Sequence, residues 1–348
     1  MNNIILWFLS LSLISGTTIV ILSNHWFSIW IGLELSTISV IPLLNTNNTP
    51  RSNEATLKYF LIQAFSASIL LIGATLNLWL SNSWNVNDML NPPICNTIIL
   101  SAIIIKLGIA PGHFWFPDII SGIPFLNSTI IACWQKIAPF FILSLINLNS
   151  PNEITLFSAT ISILIGGWGG LNQTSIRKIL AYSSIGQLGW ITATSFYSPE
   201  TALALLTFYL LINTSIFLMC HNSNIPYISN LNKTNIIPTS SILIPLTLFS
   251  IGGLPPFGGF INKLIPFNIL IINNNLIIIP LLILGSLLSL FYYIRIIINT
   301  NLIIFPNNSI NIILLNTELS NTLNIIISIL TPLSIIGIFL IPIISIFS

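Results

Sequence analysis

The chain has 348 residues, of which 54% are hydrophobic and only 5% are charged, and its mean hydropathy is +0.95. A soluble domain carries about 25% charged residues, so this composition excludes a soluble globular protein and indicates a polytopic membrane protein. The formal net charge of +2 is too small to favour nucleic acid or another polyanion as a partner.

A transmembrane helix needs about 20 mostly apolar residues. Applied in chain order, that length predicts an all-α fold of about eleven transmembrane helices, joined by short linkers rich in Asn, Ser, Thr and Pro. The first apolar stretch lacks the Arg-rich, amphipathic pattern of a cleavable presequence and is predicted to be a span. The predicted spans are 3–23, 26–44, 56–80, 95–117, 123–147, 153–171, 175–195, 200–220, 238–272, 276–299 and 322–346.

Two of these spans carry helix-breaking residues. Segment 238–272 would be ~50 Å long as one straight helix, whereas the hydrocarbon core is only ~30 Å thick. Its middle reads GGLPPFGGF (252–260), which predicts two half-helices with an unwound joint. Segment 95–117 predicts a milder break at Pro111-Gly112. Interrupted spans at corresponding places of two halves are typical of inverted-repeat transporters.

The charged residues of the linkers predict the orientation. If the spans alternate across the membrane, the basic linker residues gather on one side, with Arg295 near the same side. The opposite linkers carry acidic residues and no Lys or Arg. The positive-inside rule then puts the N-terminus on the positive side and the C-terminus on the other. The basic group is Arg51, Lys58, Arg177, Lys178 and Lys233, and the acidic group is Asp88, Glu153 and Glu200.

Four charged residues remain within predicted spans: Glu34, Lys106, Lys136 and Lys263. Each costs about 2.5–3.5 kcal/mol at a helix centre, so together they oppose insertion by on the order of 10 kcal/mol. Snorkelling or a purely structural Glu–Lys pair is the alternative explanation. We favour proton handling, because burial disfavours the charged form of a lysine and a nearby carboxylate favours it. Lys106, at the end of its half-helix, also gains from the helix dipole.

The three cysteines do not resemble a metal site. Cys95, Cys133 and Cys220 stand far apart in apolar surroundings, without a CxxC or Cys/His spacing, so we expect buried, inert thiols and no zinc or iron–sulfur site. Neither a Walker A motif nor a GxGxxG after a strand is present.

Three stretches carry a resemblance to a known family: KLGIAPGHFWFPD (106–118), RKILAYSSIGQLGW (177–190) and LTLFSIGGLPPFGGFINKL (246–264). They resemble signature stretches of NADH dehydrogenase (ubiquinone) subunit 2, a family of antiporter-like membrane subunits of mitochondrial respiratory complex I. The resemblance runs in order over essentially the whole chain.

The resemblance implies two inverted five-helix repeats, each with a broken helix. We divide the chain into a leading helix (1–23), a first repeat (26–171), a second repeat (175–299) and a C-terminal helix (322–346). It also implies that Glu34 pairs with Lys106, that Lys136 connects two half-channels, and that Lys263 is the terminal proton-carrying residue.

The implied function is proton translocation across the mitochondrial inner membrane, coupled to electron transfer from NADH to ubiquinone. NADH, FMN, iron–sulfur clusters and ubiquinone are then expected on other subunits, with no redox centre or cofactor here. The expected partners are other membrane-arm subunits, including neighbouring antiporter-like subunits, and membrane lipids, but not nucleic acid. The N-terminus is expected in the matrix and the C-terminus in the intermembrane space. Two alternatives stay open: a free-standing cation/proton antiporter, and a structural spacer with buried ion pairs.

Overall fold

The computed structural model describes residues 3–46, 49–86, 93–149, 153–223, 225–229, 238–301 and 321–336. Within these ranges the chain is helical, and β-structure is limited to two isolated bridges, His25 with Asn85 and Ser175 with Tyr227. The predicted all-α class is confirmed.

The helices are named in chain order. The first half contains α1 (Asn3–Leu22), α2 (Trp26–Leu44), α3 (Pro50–Ser81), α4 (Pro93–Leu107), α5 (Trp115–Gly122), α6 (Phe125–Thr129), a π-helical turn (Ile130–Trp134) and α7 (Gln135–Asn149). The second half contains α8 (Glu153–Gly169), α9 (Ile176–Ser195), α10 (Pro199–Asn222), α11 (Pro238–Gly252), a 3₁₀ turn (Gly258–Phe260), α12 (Ile261–Ile272), α13 (Ile278–Asn301) and α14 (Asn321–Ile336).

Most helix ends lie within a few residues of the predicted ends, and α3 is the main exception. It begins well before its predicted start because Thr49 caps it. The Ser52 N–H donates to the Thr49 hydroxyl at 3.2 Å, and the Thr49 N–H donates to the Ser52 hydroxyl at 2.9 Å. The expectation that the grouped charged residues lie in linkers is therefore wrong for most of them. Arg51 and Lys58 lie in α3, and the others that lie in the first turn of a helix are Glu153, Arg177, Lys178 and Glu200.

Both predicted helix breaks are present, but the first is larger than expected. Residues 108–114 separate α4 from α5, and α5 continues to Gly122, beyond the predicted end of that span at residue 117. The predicted joint in 238–272 lies between α11 and the 3₁₀ turn. The last predicted span extends beyond the described residues, so only α14 represents it.

Six helices in the described ranges are long and apolar enough to cross a membrane by themselves. They are Ile4–Leu22, Trp26–Leu44, Pro50–Ser81, Phe125–Leu148, Pro199–Asn222 and Ile278–Thr300. Helices α4, α8, α11 and α12 are apolar but shorter. Large apolar side chains point outward along this bundle, among them Trp7, Leu22, Trp79, Trp168 and Ile277, all more than 70% exposed. An apolar exterior of this kind suits contact with lipid.

A polar basin of about 430 Å³ lies at one end of the bundle, between the start of α3, the end of α5 and the start of α9. It is lined by Arg51, Glu54, Lys58, Asp118, Arg177 and Lys178, with the loop before α9 completing its wall. Arg295 holds that loop by donating to the carbonyls of Leu171 and Gln173 at 2.6 and 2.8 Å. Five of the six basic residues predicted to share one side are thus gathered at this end; Lys233 and the acidic Asp88 lie outside the described residues.

Candidate functional site

The first helix break, between α4 and α5, is closed by a local backbone motif. Gly108 has a φ of +69°, and a side chain there would press on Trp115. The Gly108 N–H donates to the Ile105 carbonyl and the Ile109 N–H to the Ile104 carbonyl, both at 3.1 Å, which is the Schellman pattern of helix ends. The Trp115 indole on α5 donates to the same Ile105 carbonyl at 3.0 Å. The second half-helix therefore helps to cap the first.

Lys106 lies in the last turn of α4, directly before this break. It is only 4% exposed, and its Nζ has no hydrogen-bond partner in the described part of the chain. The C-terminal end of a helix carries partial negative charge that stabilises a cation. The structure thus puts Lys106 at the end of its half-helix, where the sequence predicted it.

Lys106 and Lys136 line the same small cavity, whose volume of about 10 Å³ has room for about one water molecule. The cavity lies between α2, α3, α4, α5 and α7. The buried hydroxyl of Tyr59, which lines it too, also has no hydrogen-bond partner in the described residues. A buried polar group without a partner costs about 1–3 kcal/mol, so these two groups favour a bound water here.

Glu34 lies on α2 beside this cavity but forms no ion pair with Lys106 within 4.0 Å. Thr37 connects it to the cavity, because Thr37 Oγ1 donates to Glu34 Oε2 at 3.3 Å and Thr37 itself is part of the cavity wall. Glu34 is therefore connected to the Lys106 cavity through Thr37, without direct contact with Lys106.

Lys136 follows the π-helical turn and is 2% exposed. Its Nζ donates to the Tyr209 hydroxyl on α10 at 2.6 Å and to the Ser184 hydroxyl on α9 at 3.3 Å. It also lies 4.2 Å from the centre of the Phe116 ring on α5, a cation–π contact. The Tyr209 hydroxyl donates in turn to the Ala132 carbonyl in the π-helical turn at 3.1 Å. Lys136 thus connects the first half of the chain to two helices of the second.

The second helix break repeats the motif of the first. Gly253, directly after α11, has a φ of +68°. Its N–H donates to the Ser250 carbonyl at 3.0 Å, and the Leu254 N–H donates to the Phe249 carbonyl at 3.4 Å. This is the same Schellman spacing as at Gly108, so the same backbone capping motif ends both half-helices.

Lys263, in the first turn of α12, reaches back across this break. Its Nζ donates to the carbonyl of Gly252, the last residue of α11, at 2.5 Å. Lys263 also lines a cavity of about 20 Å³, together with Ser183, Gln187 and Tyr293. Both broken helices therefore have a lysine at the break: Lys106 lies in the last turn of the first half-helix, whereas Lys263 lies in the second half-helix and donates back to the last residue of the first.

Two neighbouring serines of α9 lie between these sites. Ser184 accepts the hydrogen bond from Lys136, while Ser183 lines the cavity of Lys263. Both are buried. The Lys136 group and the Lys263 group therefore meet α9 at two adjacent residues.

Comparison with known proteins identifies the family. The transmembrane family of NADH:quinone oxidoreductase and Mrp antiporter proteins matches residues 23–289. The chain belongs to this family. Similar family members include NADH-ubiquinone oxidoreductase chain 2 of Paracentrotus lividus, 48% identical over 274 residues, which are 78% of this chain and 77% of that one. The chain 2 protein of Oryzorictes hova is 45% identical over 276 residues, 78% of each chain. The resemblance of the three stretches is confirmed.

Two solved structures share the fold. A chain of respiratory complex I from Thermus thermophilus with bound Aureothin matches with a TM-score of 0.84 and 21% identity, over 98% of this chain and 80% of that chain. A chain of the Mrp complex from Dietzia sp. DQ12-45-1b matches with a TM-score of 0.75 and 17% identity, over 84% and 59%.

Three site residues of this family member were missed by sequence reasoning: Tyr59, Trp115 and Tyr209. Each lies in or beside an apolar stretch, where an aromatic residue indicates core packing or the membrane interface. The available signal was that a buried tyrosine hydroxyl or tryptophan N–H usually finds a hydrogen-bond partner. The sequence does not identify that partner, because the two groups come close together only in the folded chain.

The cysteines are buried, free thiols. In the described ranges no group of three or more His, Cys, Asp and Glu side chains is placed to hold a metal ion. Cys133 lies in the π-helical turn, while Cys95 and Cys220 lie in α4 and α10, so the three belong to separate elements.

Proposed function

We propose that this chain is an antiporter-like subunit of the membrane arm of a proton-translocating NADH:ubiquinone oxidoreductase, respiratory complex I. In this proposal Glu34, Lys106, Lys136 and Lys263 carry protons across the mitochondrial inner membrane. The observation that carries it is the repeated site geometry: each broken helix has a lysine at its break, beside a cavity with room for about one water, and Lys136 lines the first cavity and contacts α9.

The geometry favours groups that change their charge. The end of a half-helix supplies carbonyl dipoles that stabilise an ammonium, while burial opposes it, so a modest change nearby shifts the balance. Glu34, which Thr37 connects to the cavity wall, is proposed to supply the charge that favours the protonated form of Lys106. Lys136 is the proposed acceptor for a proton that leaves Lys106, because both lysines line the same cavity.

The transfer beyond Lys136 is proposed to use hydroxyl groups. Tyr209 and Ser184 accept hydrogen bonds from Lys136, and the neighbouring Ser183 lines the cavity of Lys263. Hydroxyl groups both donate and accept hydrogen bonds, so they suit a relay between two amines. The role of this chain is limited to moving protons. Electron transfer from NADH through FMN and iron–sulfur clusters to ubiquinone is assigned to other subunits, and this chain is proposed to carry no redox centre.

We also propose the full membrane topology of about eleven spans in two inverted repeats. If the repeats are α1–α7 and α8–α13, each contains five spans, and the broken helix is the fourth span of each. α14 then lies outside both repeats. Packing supports this division: α1 packs on α2 and α7, as α8 packs on α9 and α13. It moves α8 into the second repeat, whereas the sequence-based division assigned 153–171 to the first.

Close helix crossings support the same correspondence. A Cβ atom on Gly16 of α1 would lie 2.8 Å from the backbone of Gly32 on α2. A Cβ atom on Gly166 of α8 would lie 2.7 Å from the backbone of Gly186 on α9. Small residues allow this close approach in membrane proteins, and the first two helices of each proposed repeat use it in the same way.

The proposed orientation puts the polar basin in the mitochondrial matrix. Its basic residues and Arg295 lie at one end of the bundle, as the positive-inside rule requires of the matrix side. The N-terminus then faces the matrix, and an odd number of spans brings the C-terminus to the intermembrane space. Other membrane-arm subunits and membrane lipids are the proposed partners.

Native purification from mitochondria tests the assignment. We expect the chain in a large membrane assembly that oxidises NADH and, in sealed vesicles, pumps protons. A chain that migrates outside any NADH-oxidising assembly, and exchanges cations for protons by itself, would support a free-standing antiporter. An assembly whose pumping does not depend on the four charged residues would support a structural spacer.

A further inference from the structure

Two polar bridges connect α7 to α9 at different depths in the bundle. Near the middle of α9, Lys136 donates to the Ser184 hydroxyl at 3.3 Å. Farther along both helices, the Asn147 side-chain amide donates to the Ser195 hydroxyl at 3.0 Å. The later residue of α7 meets the later residue of α9, so the two helices run in the same direction. Ser195 is the last residue of α9, and the start of α9 borders the polar basin, so the second bridge lies at the opposite end of the bundle.

The two bridges are in register along both helices. Eleven positions separate Lys136 from Asn147 on α7, and eleven separate Ser184 from Ser195 on α9. Eleven residues are about three helical turns, or ~16 Å along the axis, and a whole number of turns returns to the same face. The bridges therefore mark the two ends of one interface between α7 and α9.

Apolar side chains occupy this interface between the bridges. They lie four and seven positions after Lys136 and after Ser184, where helical residues share a face. None of the four is more than 1% exposed, and all belong to one packed apolar cluster. They are Phe140 and Leu143 on α7, and Leu188 and Ile191 on α9.

Helix α10 closes a third side in the same way. Tyr209 holds Lys136 at the level of the first bridge. Because α10 begins at Pro199, directly after the short turn that follows α9, its earlier residues lie nearer the second bridge. The residues four and seven positions before Tyr209 are fully buried in the same apolar cluster. With these two, the apolar layer consists of Phe140, Leu143, Leu188, Ile191, Ala202 and Leu205.

The buried hydroxyls beside this layer donate within their own helices. The Ser144 hydroxyl donates to the Phe141 carbonyl at 2.7 Å, and the Thr192 hydroxyl donates to the Gly189 carbonyl at 3.1 Å. An apolar side chain neither donates nor accepts a hydrogen bond, and narrow apolar passages exclude water. The apolar layer therefore interrupts the chain of hydrogen-bonding groups between the two bridges.

We infer that the apolar layer insulates Lys136 from the Asn147 end of α7. In the proposed orientation that end faces the intermembrane space, so the layer prevents protons from running back through the subunit to the matrix. The inference rests on the proposed proton path through Lys136. With this direction closed, the polar groups that continue from Lys136 are Ser184 and the neighbouring Ser183, which leads to the cavity of Lys263.

Passive proton leak tests the layer. The intact purified complex is reconstituted in vesicles without NADH, a pH difference is imposed, and its decay is followed with a trapped pH-sensitive dye. Leu143→Asn and Leu188→Asn should each speed the decay roughly tenfold over wild type, the change expected when one added hydrogen-bonding group lowers the barrier. The matched control is Leu145→Asn, because Leu145 lies about 180° from Lys136 around α7 and should leave the decay unchanged. An equal rise in the control overturns the inference.

A volume-matched pair of variants at Ile191 keeps the test independent of assembly. Threonine and valine have nearly the same shape, but only threonine brings a hydroxyl into the layer. Faster decay for Ile191→Thr than for Ile191→Val supports the layer, and equal decay overturns it. If an asparagine variant fails to assemble on a native gel, this pair decides alone.

The role of Lys136 is tested in the same vesicles. Lys136→Met added to Leu143→Asn should return the decay to near the wild-type rate, because the leak passes through Lys136. A double variant that leaks as fast as Leu143→Asn overturns the inference. Failure of the proposed function has a different readout, normal NADH-driven pumping by Lys136→Met alone, so the two failures are distinguishable.

Discussion

Lys136 on α7 donates a hydrogen bond of 2.6 Å to the hydroxyl of Tyr209 on α10, and both side chains are buried. The same hydroxyl donates to the Ala132 carbonyl, so its lone pair points at the ammonium. This contact joins the two halves of the chain at the level of the proposed proton path. Lys136 has one further hydrogen-bond partner in the described residues, Ser184 at 3.3 Å.

Tyr209→Phe should therefore slow proton pumping without preventing assembly of the complex. The ring stays and fills its volume, but the ammonium of Lys136 loses a hydrogen bond of about 1.5–3 kcal/mol. If that bond positions the proton transfer, the pumping rate should fall roughly ten- to a hundredfold. The measurement is the rate of NADH-driven proton uptake in reconstituted vesicles. Tyr197→Phe, a part-buried tyrosine outside this group, is the control, and equal rates in both variants would remove Tyr209 from the path.

Lys106→Met should abolish most NADH-linked pumping while the complex still assembles, because the methionine keeps most of the volume but cannot titrate. Glu34→Gln should act in the same direction, because Lys106 loses the carboxylate that favours its charged form. The two groups are not in contact within 4.0 Å, so neither change breaks a direct ion pair. Pumping per NADH oxidised and the amount of assembly on a native gel are measured together.

The double variant distinguishes this relay from a structural role. If Glu34 and Lys106 only stabilise the fold through their mutual attraction, each single variant lowers the amount of assembled complex and the double variant restores it. Normal pumping by the double variant would discard the relay role for this pair.

Gly253→Ala should destabilise the second helix break. The φ of +68° strains any residue with a Cβ by about 1 kcal/mol or more, and the new atom would lie 2.8 Å from Cδ of Lys263. Displacement of Lys263 from the end of α11 should also lower pumping. Gly252→Ala is a matched control one residue away, because its Cβ would lie 3.5 Å from Tyr293, an ordinary contact. Thermal stability of the purified complex and pumping rate should fall for the first variant and stay near wild type for the second.

The termini should lie on opposite faces of the membrane, the N-terminus in the matrix. The physical reason is the gathering of basic side chains at the basin end of the bundle. Protease treatment of mitoplasts, with antibodies against each terminus, should remove the C-terminal epitope only. Loss of both epitopes, or protection of both, would contradict a topology with an odd number of spans.

The sequence by itself determined the class of the protein and the local chemistry of the breaks. Apolar stretches of membrane-spanning length, interrupted by glycine and proline, predict helices and half-helices because backbone groups in lipid must be satisfied within the segment. Charged residues are scarce in this chain, and each one within a span opposes membrane insertion. For that reason the sequence alone singles out Glu34, Lys106, Lys136 and Lys263 as candidate functional residues. Even the position of Lys106 at a half-helix end followed from the residues after it.

Only the tertiary structure decided which groups meet. Lys136 and Tyr209 are 73 positions apart, and nothing in either stretch selects the other as a partner. Lys263 finds the Gly252 carbonyl because the unwound joint folds back, and the length of that joint is not set by local propensity. Arg51 and Lys178 share a basin because α3 and α9 pack at one end of the bundle. Periodicity and composition predict the structure of each segment by itself. Contacts between helices that are distant in sequence depend instead on how their faces pack together.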